Sequence, residues 1–140
     1  MPKPTPSAQG RPADEKITVN LGVVDLGRID LLVQEGFYSN RTDLIRTAVR
    51  AELDRHADTV RELVERRTLT LGMRRFTRAE LEAVREAGER LDVRVLGLAT
   101  FDDDVTVELA LATVSSLTVL GALQASPALR RALAARTGPV

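Results

Sequence analysis

The chain has no cysteine and no tryptophan, and its 140 residues include only three Phe, one Tyr and one His. Without cysteine there is no disulfide and no thiolate ligand. The lone His56 cannot build a metal site by itself, so no metal is expected. With so few aromatics, any core must be Leu, Val, Ile and Ala. No apolar run reaches the roughly 18 residues of a membrane span, and the N-terminus has no hydrophobic signal region. The expectation is a cytoplasmic protein without a membrane partner. No phosphate-binding glycine loop and no nucleophile-base pair can be assembled, which argues against an enzyme and against a cofactor. An excess of either charge is also missing, with 20 basic and 20 acidic residues. The chain is therefore no strongly basic polyanion binder. Within residues 16–56 the balance is again even, six basic against six acidic. Any contact with nucleic acid must come from local placement of groups. What is present is 44% hydrophobic residues, enough to exclude disorder over most of the length. The length suits one modest domain or two very small ones.

The stretch Lys16-Ile-Thr-Val-Asn-Leu21 alternates strictly. Ile17, Val19 and Leu21 share one face; Lys16, Thr18 and Asn20 share the other. A period of two predicts a strand with one apolar face. The polar face consists of side chains that hydrogen-bond to base edges. No second strand lies within hairpin distance, and a lone strand must pair with something. The simplest partner is the same strand of a second copy. Residues 1–15 before it hold four of the six prolines and read as a flexible tail, inert or brushing DNA phosphates through Lys3 and Arg11.

After a turn at 22–24, Asp25 is expected to cap a helix whose apolar positions are Leu26, Ile29, Leu32 and Val33. Gly36 ends it. Asn40-Arg41-Thr42-Asp43 has the form of a capping box, with Asn40 as N-cap and Ser39 as the alternative. The second helix buries Leu44, Ile45, Ala48, Val49 and Leu53, and nothing breaks it before Thr68, so it runs to about Arg67. Arg46 and Arg50 read as dimer-surface or ion-pair residues, with Asp43 a partner for either. Tyr38 is balanced between packing and phosphate contact.

Strand, helix, glycine turn and capped helix within about 40 residues is the ribbon-helix-helix plan, and Ile17-Thr-Val-Asn-Leu21, Gly36 and Asn40-Arg-Thr-Asp-Leu-Ile-Arg46 resemble its CopG-type branch. The resemblance covers about 16–56. Asn40, Thr42 and Asp43 depart from the family's usual Ser-Arg-Ser-Glu-x-Ile-Arg, and Gly22-Val23 stands where the family usually has proline. The resemblance implies an obligate, intertwined homodimer whose two-stranded ribbon enters the DNA major groove. Carried over by position, Lys16, Thr18 and Asn20 would read bases. Ser39, Asn40, Arg41 and Thr42 would hold phosphate, through free backbone N–H groups at Ser39, Asn40 and Arg41 and through side chains.

Residues 69–133 lie outside that pattern. Leu69-Thr70-Leu71, Val93-Arg94-Val95 and Leu117-Thr118-Val119 recur with a period of 24, each with a glycine close behind: Gly72, Gly97, Gly121. A helix signal follows in every unit, with Thr77, Thr106 and Ser126 as N-caps and Pro127 at the first helical position. This reads as a small solenoid-like domain of three β-α repeats. Its expected core is Leu69, Leu71, Val93, Val95, Leu117 and Val119 from the strands, and Leu81, Val84, Leu109, Val114, Leu129 and Leu133 from the helices. Asp102-Asp103-Asp104 reads as a solvated loop.

The expected class is therefore α+β. A tail covers 1–15, a ribbon-helix-helix domain 16–56, a helical linker 57–68, and a C-terminal oligomerisation or partner-binding domain 69–140. The expected function is a sequence-specific DNA-binding transcriptional regulator. Its partners are double-stranded DNA, a second copy of itself, higher oligomers through 69–133, or another protein. Two alternatives stand beside it: a structural protein that uses the ribbon only to dimerise, and an antitoxin-type autoregulator.

Overall fold

A computed structural model describes residues 14–137, and the chain divides after Leu63 into two units. Most of the proline-rich tail, with Lys3 and Arg11, lies outside the described residues. The chain is mixed helix and strand, in keeping with the α+β expectation.

The N-terminal unit holds α1 (Val23–Gln34), α2 (Arg41–Arg55) and most of α3 (Ala57–Arg67). Asp25 is not the cap of α1. Gly22 takes that position without a side-chain bond, and Asp25 sits in the first turn, where its charge still favours the helix dipole. Gly36, at φ +82°, closes the helix: its N–H donates to the Val33 carbonyl at 3.1 Å and the Phe37 N–H to the Leu32 carbonyl at 3.0 Å. This paired closure needs a left-handed residue, which glycine supplies without a Cβ penalty. Asn40 caps α2, accepting from the Asp43 N–H at 2.8 Å. The expected continuous helix is interrupted at His56, whose N–H turns to the Leu53 carbonyl at 3.1 Å before α3 resumes. Thr68 ends α3 at φ +53°, with the Leu69 N–H reaching back to the Val64 carbonyl at 3.0 Å.

The expected strand at 16–21 is absent from the single chain: residues 14–22 take no regular secondary structure and join no ladder. Its apolar side is uncovered, Ile17 being 79% and Val19 66% exposed. Nor do α1, α2 and α3 bury a single side chain, so the expected burial of Ile45, Val49 and Leu53 is not found within one copy.

The C-terminal unit runs β1 (Thr70–Phe76), α4 (Arg78–Glu86), β2 (Leu91–Phe101), α5 (Val107–Thr113), β3 (Val114–Gln124) and α6 (Pro127–Ala134). The strands form one parallel sheet in the order β1-β2-β3. Thr77, Thr106 and Ser126 cap the three helices, each hydroxyl accepting a backbone N–H at 3.2 Å. Pro127 is at the first turn of α6. The helices form one layer, α4 against α5 and α5 against α6. Leu81, Leu109, Leu129 and Leu133 pack with Val93, Val95, Ala99 and Leu117 in a single cluster. Val114 belongs to this core from the start of β3, not from a helix.

The register corrects the repeat. Val93 and Val95 stand opposite Leu117 and Val119, one period of 24 apart, but Thr70 rather than Leu69 or Leu71 faces Val95. The glycines decide this. Gly72, Gly97 and Gly121 form one row across the sheet at φ +114°, +137° and +121°. A Cβ on Gly97 would overlap the Gly72 carbonyl oxygen, and one on Gly121 the Gly97 carbonyl oxygen. Only glycine permits that approach, so the row forms and the first unit shifts by one residue. A one-residue slip reverses the faces. Leu71 therefore leaves the core and is 69% exposed, while Thr70, Gly72, Arg74 and Phe76 face the helices. Phe76 stacks on Phe101 at 4.8 Å between ring centres, and Arg74 lies 4.3 Å above the Phe76 ring while pairing with Glu80.

Candidate nucleic-acid interface

Two short stretches of the N-terminal unit carry the candidate site. The first is the segment 16–21. Lys16, Thr18 and Asn20 are exposed, and among the described residues no hydrogen bond or ion pair occupies their side chains. An unpaired amine, hydroxyl and amide at alternate positions are groups that can each hydrogen-bond to a base edge.

The second stretch is the start of α2, and here the structure redistributes the expected donors. The Ser39 N–H is not free; it donates to the Asp43 carboxylate at 2.9 Å. Asn40 spends its side-chain oxygen on the cap. Arg41 forks onto Asp30 of α1, Nε to Oδ1 at 2.7 Å and Nη2 to Oδ2 at 2.8 Å. This bidentate contact holds the Asp30 carboxyl below the ordinary carboxylate range and pushes the Arg41 guanidinium up. Both partners are exposed, and an ion pair in water contributes little on balance. The guanidinium fork matches a phosphate as well as a carboxylate, so a phosphate can compete for Arg41. The amides of Arg41 and Thr42 remain at the open end of the helix. Asp43 is not paired with Arg46 or Arg50, as its carboxylate serves Ser39. Its negative charge beside the helix start opposes an incoming phosphate.

Arg46 and Arg50 read from the sequence as dimer-surface or ion-pair residues. Among the described residues neither takes part in an ion pair, and with Lys16 and the acidic Asp14 and Glu15 they line a groove of about 720 Å³, together with Ile17, Ile45 and Val49. The spacing of four on one helix could have signalled a shared face; the missing acidic partners could not be foreseen. Tyr38 is half-buried, as a packing residue would be. Among the described residues no group of acidic or histidine side chains could hold a metal ion. No helix among them is long and apolar enough to cross a membrane.

Compared with known protein families, residues 12–130 match the ribbon-helix-helix transcriptional regulator family. The match runs well past 16–56 and takes in the sheet and its helices, which sequence reading had placed outside the family pattern. No curated protein and no solved structure matches the chain.

Proposed function

The chain belongs to the ribbon-helix-helix transcriptional regulator family, and we propose that it works as a homodimer that reads a specific DNA sequence. The observation that carries this is the state of the N-terminal unit. None of its helices buries a side chain in one copy, and Ile17, Val19, Ile45, Val49 and Leu53 are all exposed. A segment that alternates apolar and polar residues yet finds no ladder needs a second strand. Pairing residues 16–21 of two copies satisfies the backbone, lets four helices close over the apolar face, and leaves Lys16, Thr18 and Asn20 outward for the major groove. Ser39, Asn40, Arg41 and Thr42 then clamp phosphate, Ser39 through its hydroxyl and Arg41 by exchanging Asp30 for a phosphate oxygen. Two-fold symmetry favours paired half-sites. Residues 57–68 link this head to a C-terminal domain, 69–140, of short solenoid-like β-α units for oligomerisation or partner binding. Because β1 to α6 fold within a single chain, an antitoxin whose tail folds only on its toxin is the weaker reading.

The even charge balance of residues 16–56 favours one competitor, a ribbon that merely dimerises. Selection of bound fragments from a random genomic DNA pool, at two salt concentrations, separates the two. The wild type should enrich palindrome-like fragments, with a modest salt slope given few phosphate contacts. A Thr18→Ala/Asn20→Ala variant should lose the enrichment, each base contact carrying about 1–3 kcal/mol of discrimination, while sedimentation shows an unchanged dimer. No enrichment by the wild type at either salt, with dimers intact, would leave the ribbon as an assembly device.

A further inference from the structure

We propose that the face of the sheet turned away from the helices, formed by Leu71, Met73, Leu96, Leu98, Leu120 and Ala122, packs against the same face of a second copy of this chain. Side chains alternate along a strand. Since Phe76, Val95, Ala99 and Leu117 belong to the helix-side core, these six point the other way. The register sets them in two rows, Leu71-Leu96-Leu120 and Met73-Leu98-Ala122, flanking the glycine row. All three helices of the unit feed the opposite face. A parallel sheet is ordinarily covered on both faces, yet Leu71 is 69% and Met73 70% exposed.

The chemistry of the patch selects the occupant. The patch is purely aliphatic and thioether, so it asks for no hydrogen-bonding partner. Charges at its border are paired, Arg75 with Asp102 at one end and Arg94 with Asp92 at the other. A face with no charge in its centre and paired charges at its border meets its own copy without like-charge repulsion, as an isologous contact requires. Joining two copies edge to edge through β1 would shelter only Leu71 and Met73; face-to-face packing would also cover what remains open of the half-buried Leu96, Leu120 and Ala122, around a Leu98 that is already 6% exposed within one copy. The inference rests on the proposed dimer in one respect, that paired N-terminal units would hold two such faces at high local concentration.

The absence of native cysteine makes the test direct. In the full chain, Met73→Cys treated with a short bis-maleimide should link two chains, and adding Leu120→Glu should abolish the link. Separately, Ile17→Asp/Val19→Asp should remove ribbon pairing yet leave an association visible by sedimentation equilibrium. Adding Leu71→Glu/Met73→Glu should weaken that association roughly 100-fold; both positions are exposed, so circular dichroism should show the sheet intact. Should the ribbon variant fail to fold, the cross-link decides. No inter-chain link from Cys at position 73 overturns the proposal, whatever fills the face instead, including residues 1–13 of the same chain or a different protein. Loss of DNA selection with the link intact would count against the regulator reading alone.

Discussion

The two units spend their apolar residues in opposite ways. The C-terminal unit buries Leu81, Val95, Phe101, Leu129 and Leu133 behind a sheet that one chain completes. The N-terminal unit has well-formed helices, capped at Asn40 and closed at Gly36, and buries nothing. Helix formation is thus a local matter that caps and turns can settle, whereas stability comes from burying a face. One unit closes a core between its helices and sheet within a single chain; the helices of the other bury no side chain in one copy.

Three experiments sharpen this contrast. The largest effect should come from Gly97→Ala, which meets a backbone carbonyl at a positive φ; nothing can yield without breaking the ladder, so a loss of about 4 kcal/mol or more is expected by denaturant unfolding. Gly36→Ala, also at positive φ but with open space around it, should cost only about 1 kcal/mol. Next, Leu133→Ala should cost about 2–5 kcal/mol, by the same amount at every protein concentration. Val49→Ala, in the exposed apolar set of α2, should instead shift a transition whose midpoint rises with protein concentration. The smallest effect should follow acid. Asp30, Asp92 and Asp102 are all held below the ordinary carboxylate range, Asp30 and Asp102 chiefly by hydrogen bonds from Arg41 and Arg75, Asp92 chiefly by Ser116. Their folded forms bind fewer protons than the unfolded chain, so their contribution is full above the ordinary carboxylate pKa, about 3.9, and is lost as pH falls through the lowered values. Thermal melts stepped below pH 4 should show both transitions decline, the Asp92 and Asp102 contacts acting on the sheet unit and Asp30 on the helical one.

What could be read from residue order was what short range decides. Thr77, Thr106, Ser126 and Asn40 announce helix starts because a cap needs only the next three residues. The glycines announce turns or close approach for the same reason. The strand register was missed by one residue because a period counted along the chain does not reveal which backbones touch; the glycine row does. At the candidate interface, Lys16, Thr18 and Asn20 were visible as an alternating edge. The engagement of Arg41 by Asp30, eleven residues away across a turn, was not, and neither was the capture of the Ser39 amide by Asp43. The family's extent was underread because the residues that carry the CopG-type resemblance all lie in 16–46, whereas the match runs over 12–130.

The glycine row has a further consequence, best put as a question of addressing. Three identical residues making the same backbone contact hold strands at one spacing, but they cannot tell one strand from another; as labels they are blank. The order β1-β2-β3 must be written elsewhere, where neighbours differ. It is written at the two ends of the sheet. At one end Phe76 stacks on Phe101 and Arg75 grips Asp102, naming β1 and β2 to each other. At the other, the Ser115 hydroxyl reaches the Leu91 carbonyl at 2.9 Å and Ser116 meets Asp92, naming β2 and β3. The middle of the sheet supplies the spacing, and the ends carry the addresses.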